Sequence, residues 1–437
     1  MATPTDPVAP APERETEAEA VWPLSGAPAQ GPAGGQGPPA VVGVGDLRAT
    51  NAAAVLAAVR SADPHPRLSE LVQATGLSRP TVEVIAEELA GCGLIEVAPA
   101  PSARGQRSPG RPARRFRFRP HAGFVVGVDV RARSVTACLA DLDGESVAVE
   151  RRSVRADLTG PARAAAVTTV IRAAMDRAGA DDRRIWAATV GTPGLVDRDN
   201  TRIRQADNLK DWAGADITGV LRELLGCRVA VENDANLAAL GEQWRGVGRA
   251  AEDRAGEAAA GEAAGEMVFV LLDERLGAGV ITGGRLLRGH HGAAGEIGFI
   301  RFPGRTPPQP GLAPLDPGTI PAAASGDARA AAAVEAYGQR LAEGVAPVLL
   351  ALDPALVVLS TGLFPEPALL PAADLLLDAA QRHADGLLVD PPRWRLSALG
   401  DDAVITGAVR FALSSVEVVL RTRPTSLAVR GAGQLTS

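Results

Sequence analysis

Cysteine is scarce. The 437 residues contain three, Cys92, Cys138 and Cys227, far apart and without pattern. That excludes a disulfide framework and suits a reducing compartment. Aromatic residues make up only 3% of the chain, and Lys210 is the one lysine. Arginine, alanine, glycine and proline are abundant instead, a codon bias of a GC-rich genome that carries no mechanism. No apolar run has the length expected of a membrane span, and the N-terminus lacks the basic-then-apolar pattern of an export signal. The expectation is a soluble, cytoplasmic protein with no membrane partner. A net charge of −6 argues against a general binder of polyanions.

The length leaves room for two or three domains, and 46% apolar content supports a large core. Residues 1–44 are Ala, Pro, Gly and Glu with almost no large apolar side chains, and read as a disordered tail. Residues 45–120 read as a DNA-binding domain, helical up to residue 96 and rich in Pro, Gly and Arg from 97. From residue 121 to 437 strands alternate with helices, which predicts an α/β architecture. Two spacers, 250–266 and 303–327, read as mobile surface loops.

The stretch from Arg67 to Leu89 predicts two helices around a tight turn. Gly76 supplies a positive φ, Ser78 an N-cap, and Pro80 a first-turn residue that needs no N–H. Leu71, Leu77, Val82, Ile85 and Leu89 share one face and pack inward. Ser78, Arg79, Pro80, Thr81, Glu83 and Val84 then face outward at the N-terminal end of the second helix, where a helix-turn-helix meets the major groove. The leucine stripe alone would fit an ordinary helical hairpin; the Gly–Ser–Arg–Pro turn favours DNA. Arg104, Arg107, Arg111, Arg114, Arg115, Arg117 and Arg119 follow, with no acidic residue between Val97 and Val128. Arginines in a Pro/Gly frame suit a narrow minor groove or phosphates, against the alternative of a solvated basic linker. Glu83 either accepts from a cytosine amino group or repels phosphate.

Six further motifs follow in order: G-R-P, G-V-D-V, G-T-P-G-L-V-D, N-L-K-D-W, V-E-N-D-A-N-L-A-A-L-G-E and R-G-H-H-G-A-A-G-E-I-G. With the helices before them, they resemble the ROK family of bacterial sugar-responsive repressors and sugar kinases. The resemblance runs from Asp46 to the C-terminus. It implies a winged helix-turn-helix followed by a two-lobed fold like that of actin and hexokinase, with sugar and nucleotide in the cleft. Asn208, Asn233, Asp234 and Glu296 match the family's sugar-contacting positions, and Gly191 to Gly194 match the loop beside the sugar, so Gly194 is counted with the ligand-binding residues.

The nucleotide motifs depart from the family. Its Asp-x-Gly-x-Thr hairpin reads Asp129, Val130, Arg131, Ala132, Arg133 here, with arginine for both glycine and threonine. Backbone N–H groups of such a hairpin cradle phosphates, and an arginine side chain would occupy that space. Glu274 and Arg275 replace Gly and Thr in the second phosphate loop, and Ser360 and Thr361 stand where glycines usually flank adenosine. Phe299 replaces the histidine of a Glu-x-x-His pattern, and the zinc loop that should follow has no cysteine. His290 and His291 fit a solvated or capping pair.

The sequence therefore points to a DNA-binding regulator of the ROK type, a repressor on a double-stranded operator, as a homodimer or homotetramer. It would answer to a sugar or sugar-derived effector and use no cofactor, no metal and no catalytic residue. Asp234 is then a ligand-binding carboxylate or a helix cap. The competing reading is a sugar kinase with Asp234 as its base, acting on a hexose or aminosugar with ATP.

Overall fold

The computed structural model describes residues 44–98, 114–249, 265–272, 276–302 and 311–427. Arg104, Arg107, Arg111, Glu274, Arg275, nearly all of the 1–44 tail, most of the first spacer and residues 303–310 of the second lie outside them.

Three helices open the described chain: α1 (Val44–Ser61), α2 (Leu68–Thr75) and α3 (Arg79–Gly91). The α2–α3 turn forms where the sequence puts it. Gly76 has φ 67°. Ser78 caps α3, its hydroxyl accepting from the Thr81 N–H at 3.3 Å. Leu71, Val82, Ile85 and Leu89 are buried and Leu77 half-buried, as the shared apolar face requires. A wing follows, with β1 (Ile95–Val97) antiparallel to β2 (Phe116–Phe118).

Two five-stranded sheets of the same design make up the rest. The first runs β5 (Ser146–Ser153), β4 (Ser134–Asp141), β3 (Phe124–Val130), β6 (Ile185–Thr192), β9 (Arg228–Asn233). The second runs β12 (Arg285–Leu286), β11 (Leu276–Thr282), β10 (Met267–Leu272), β13 (Leu356–Leu359), β14 (Arg393–Leu396). In each, three antiparallel strands join two parallel ones. A small hairpin, β7 (Leu195–Val196) and β8 (Ile203–Gln205), lies beyond the first sheet.

Period-2 alternation divides the strand residues between two cores. Phe124, Val126, Val128 and Val130 pack with α4 (Gly160–Ala178) and α5 (Ile217–Leu225). Val268 and Val270 of the second sheet pack with α8 (Ala328–Leu352) and α9 (Leu370–Leu387). The second spacer is not loop throughout. Its alanine-rich end forms α7 (Thr319–Ala324), which buries Ala323 in the same core.

Between the sheets lie α6 (Asp234–Arg245) and α10 (Ala403–Thr422), packed on one another. Their approach depends on glycine. A Cβ at Gly407 would fall on the Leu237 carbonyl oxygen, and one at Gly241 on that of Ala403. The stretch Gly400–Thr422 corrects one expectation, being long and apolar enough to cross a bilayer by length and composition. Most of it is buried inside the fold instead. Ile405, Val409, Ala412, Leu413, Val416 and Leu420 of α10 share one core with Val55 and Leu56 of α1, Leu71 of α2 and Ile85 of α3. The helix-turn-helix therefore has no separate core of its own; α10 completes it.

Candidate DNA-reading surface and effector cleft

The outward face of α3 is open. Ser78, Arg79, Pro80 and Glu83 are exposed, Thr81 is half-buried, and Val84 is 50% exposed. Ser78 and Thr81 also bond to each other, hydroxyl to hydroxyl, at 2.7 Å. Both serve the cap as well as the surface. The wing is less basic than its composition. Arg117 and Arg119 pair with Glu96. Half-buried Arg115 donates to the His65 carbonyl at 2.5 Å and lies 3.9 Å from Glu70. Arg114 is exposed.

A cavity of about 750 Å³ opens beside the N-terminus of α6. Gly194, Asn233, Asp234 and Glu296 line it together. Asn208 is not among its lining residues, and its Oδ1 is buried without a hydrogen-bond partner among the described residues. Gly194 has φ 99°, and a Cβ there would meet the Gln205 carbonyl. Asn233 is a positioning residue. Its Oδ1 caps α6 by accepting from Asn236 N–H at 3.1 Å, and its Nδ2 donates to the Gly194 carbonyl at 3.0 Å. Asp234 is the first residue of α6, behind the Asn233 cap; its carboxylate accepts from Ala235 N–H at 2.8 Å, and it lines the cavity. Exposed His290 and His291 stack edge to face with ring centres 4.5 Å apart.

Below this rim lies a buried ion pair that sequence reading missed. Glu232, 1% exposed, accepts from Asn200 Nδ2 at 2.9 Å, Asn236 Nδ2 at 3.0 Å and Asn233 N–H at 2.8 Å. Arg288, from beyond β12, pairs with it at 2.8 Å and donates to the Arg198 and Asp197 carbonyls. A chain segment of the second sheet is thereby fastened to the first. An acidic residue ending an apolar strand, one position before Asn-Asp, was the available signal.

The space that the family resemblance assigns to a nucleotide's phosphates is narrowed by protein among the described residues. Arg131 donates to Asp129 at 2.7 Å, to the Asp401 carboxylate at 3.2 Å and to the Asp401 carbonyl at 2.7 Å. Burial opposes the Arg131 charge, yet Asp129 and Asp401 together hold its proton more firmly than usual. Burial pushes the Asp129 carboxyl up, and Arg131 pulls it partly back. Fully buried Arg163 donates to the Arg131 and Ala132 carbonyls at 2.7 and 3.2 Å, pinning the hairpin backbone. Ser360 Oγ donates to the Leu272 carbonyl at 3.1 Å and accepts from its N–H at 2.7 Å. What remains between Asp129, Arg131, Ser360 and Asp401 is about 40 Å³, room for about one or two waters. A triphosphate does not fit this arrangement of the described residues.

Comparison with known proteins follows the same division. The ROK family model matches residues 125–311, and the IclR helix-turn-helix domain model matches residues 49–99. The chain carries a ROK domain behind an IclR-type helix-turn-helix.

A glucokinase of Thermotoga maritima is 35% identical over 111 residues, 25% of this chain and 31% of that one. A xylose repressor of Caldicellulosiruptor bescii is 23% identical over 232 residues, 53% of each chain. The matches thus span about a third to a half of these relatives. Among solved structures, a ROK family transcriptional regulator homologous to the E. coli MLC protein superposes with a TM-score of 0.65. It is 18% identical, and the alignment covers 87% of this chain and 100% of that one. The two-lobed fold with an N-terminal helix-turn-helix is therefore shared. Within the ROK domain, Asp234 lies where the cavity meets the closed phosphate space, lining both.

Proposed function

We propose that this chain is a DNA-binding transcriptional repressor whose ROK domain senses a ligand and does not phosphorylate it. The observation that carries the reading is Arg131, whose guanidinium fills the phosphate space and joins Asp129 to Asp401. Without room for a phosphate donor, the remaining polar groups of the cleft can hold a ligand but cannot drive transfer. The open face of α3 and the xylose repressor among the relatives support the DNA side.

In this reading Ser78, Arg79, Pro80, Thr81 and Glu83 meet base edges and nearby phosphates, with Arg107, Arg111, Arg114 and Arg115 contributing from the wing. Gly194, Asn233, Asp234 and Glu296 hold a sugar-like effector, its hydroxyls bridged by carboxylate and amide. Asn208 acts indirectly, by shaping its loop. Binding favours one opening of the two sheets, and α10 passes the change to the helix-turn-helix. The assembly is a homodimer or homotetramer on a symmetric operator in the cytoplasm.

The test is fluorescence anisotropy on duplex DNA from upstream of the protein's own gene, against a scrambled duplex at near-physiological salt. Selective binding that a sugar pool weakens or strengthens is the expected result. Equal, steeply salt-dependent affinity for both duplexes would overturn the specific-repressor reading. The second reading, a sugar kinase, is favoured by the position of Asp234 and by the glucokinase relative. Coupled ADP release across hexoses and aminosugars, abolished by Asp234→Asn, would establish it.

A further inference from the structure

The cavity is larger and more apolar than a single sugar ring requires. Its volume of about 750 Å³ lies toward the top of the range for drug-sized ligands, roughly 300–1,000 Å³. Asn233, Asp234 and Glu296 line it. Much of the rest of the wall is apolar: Leu276 from the second sheet, Leu312 and Leu315 from the segment running into α7, Ile320 from α7 itself, Tyr337 from α8, and Leu363 from beyond β13. The four leucines and Ile320 are only half-buried, so part of each apolar surface is left uncovered by the protein. Phe299, 63% exposed, also lines the cavity. The charge is one-sided. Asp234, Glu296 and Asp316 line the cavity, and no arginine, lysine or histidine does among the described residues. An anionic ligand would meet repulsion with no cation to answer it. A sugar phosphate is disfavoured for that reason, and a bare hexose leaves the apolar wall wet.

We propose that the ligand is an uncharged glycoside with an apolar aryl or alkyl aglycone. Its sugar hydroxyls face Asn233, Asp234 and Glu296, and its aglycone lies along Leu276, Leu315 and Leu363. This rests on the reading of the ROK cleft as the effector site and names the class of effector.

The test is isothermal titration of the full chain with p-nitrophenyl and octyl glycosides of gluco, galacto, manno and xylo configuration. Matched methyl glycosides, parent sugars, a sugar phosphate and adenosine are titrated alongside. One aryl or alkyl glycoside is expected to bind on the order of tenfold or more tighter than its methyl counterpart, because the aglycone leaves water. Leu315→Asp, in a loop, should erase that advantage, with Leu363→Asp as a second variant. Thermal unfolding of each variant verifies that it is folded. Asp234→Asn should weaken methyl and aryl forms together.

Equal affinity for methyl and aryl forms would overturn the proposal, as would an aryl advantage that survives both variants or binding of no glycoside at all. Tighter binding of the sugar phosphate or of adenosine than of any glycoside would overturn it too. None of these results touches the comparison of native with scrambled duplex made in the absence of any sugar. Loss of the proposed ligand and loss of the proposed repressor are therefore separately visible.

Discussion

At the scale of single residues, charge placement decides what each group can do. Arg79 is exposed at the start of α3, whereas Arg117 and Arg119 are held by Glu96. Arg79→Ala should therefore lower operator affinity by about 1–3 kcal/mol if it reads a base edge, with scrambled DNA unaffected. Anisotropy at fixed salt checks this, and equal loss on both duplexes would reassign Arg79 to phosphate. The Glu232–Arg288 pair is buried on the acidic side, so Arg288→Ala leaves a carboxylate without its cation. A stability loss of about 3–5 kcal/mol is expected in urea denaturation. The fully exposed Arg155–Asp157 pair is the control, and Arg155→Ala should leave the midpoint unchanged. Asp129 gives a pH prediction. Its carboxyl is raised on folding by burial, so it favours the folded state while protonated. That contribution is present below about pH 3.9 and lost as pH rises through the raised value. Asp129→Asn should flatten the pH dependence of the urea midpoint across that window, with Arg131 still held by Asp401.

At the scale of elements, close approach of α6 and α10 sets the spacing of the two sheets. Gly407→Ala would press a methyl group onto the Leu237 carbonyl. Overpacking of this kind costs about 1–3 kcal/mol; a lowered urea midpoint is the expected readout. This is also the scale at which the sequence was most legible. Gly76, Ser78 and Pro80 carry local chemistry that fixes a turn wherever it occurs, and α2 and α3 formed around them. Arg131 was legible because bulk at a glycine position closes a cleft in any context. Other features depend on neighbours distant in sequence. Glu96 and Glu70 neutralise wing arginines that read as an uninterrupted basic run. Tyr337 and Leu363 meet Glu296 at one cavity only after folding, and neither sits in a motif. Asn208 matched a family position, yet its loop holds it off the cavity wall. The apolar length of α10 divides between α6, β3 and α1, and that division is a property of packing.

At the scale of the whole molecule, one continuous core runs from α1, α2 and α3 through α10 to the first sheet. The helix-turn-helix should therefore not unfold as an independent unit. Calorimetry of the full chain is expected to give a single transition, and Leu413→Ala in α10 should lower its midpoint and weaken operator binding together. A separate early transition from the DNA-binding helices would contradict this. The guanidinium in the phosphate space reaches further still. On the proposed reading, a repressor of this construction would consume no fuel, so no irreversible step would drive or time its response. It would be an equilibrium instrument, set by ligand concentration and forgetting its history once the ligand leaves. Linkage then fixes a reciprocal debt: whatever factor the ligand takes from operator affinity, the operator must take from ligand affinity. The cell's DNA would in that sense be an effector of the proposed ligand cleft.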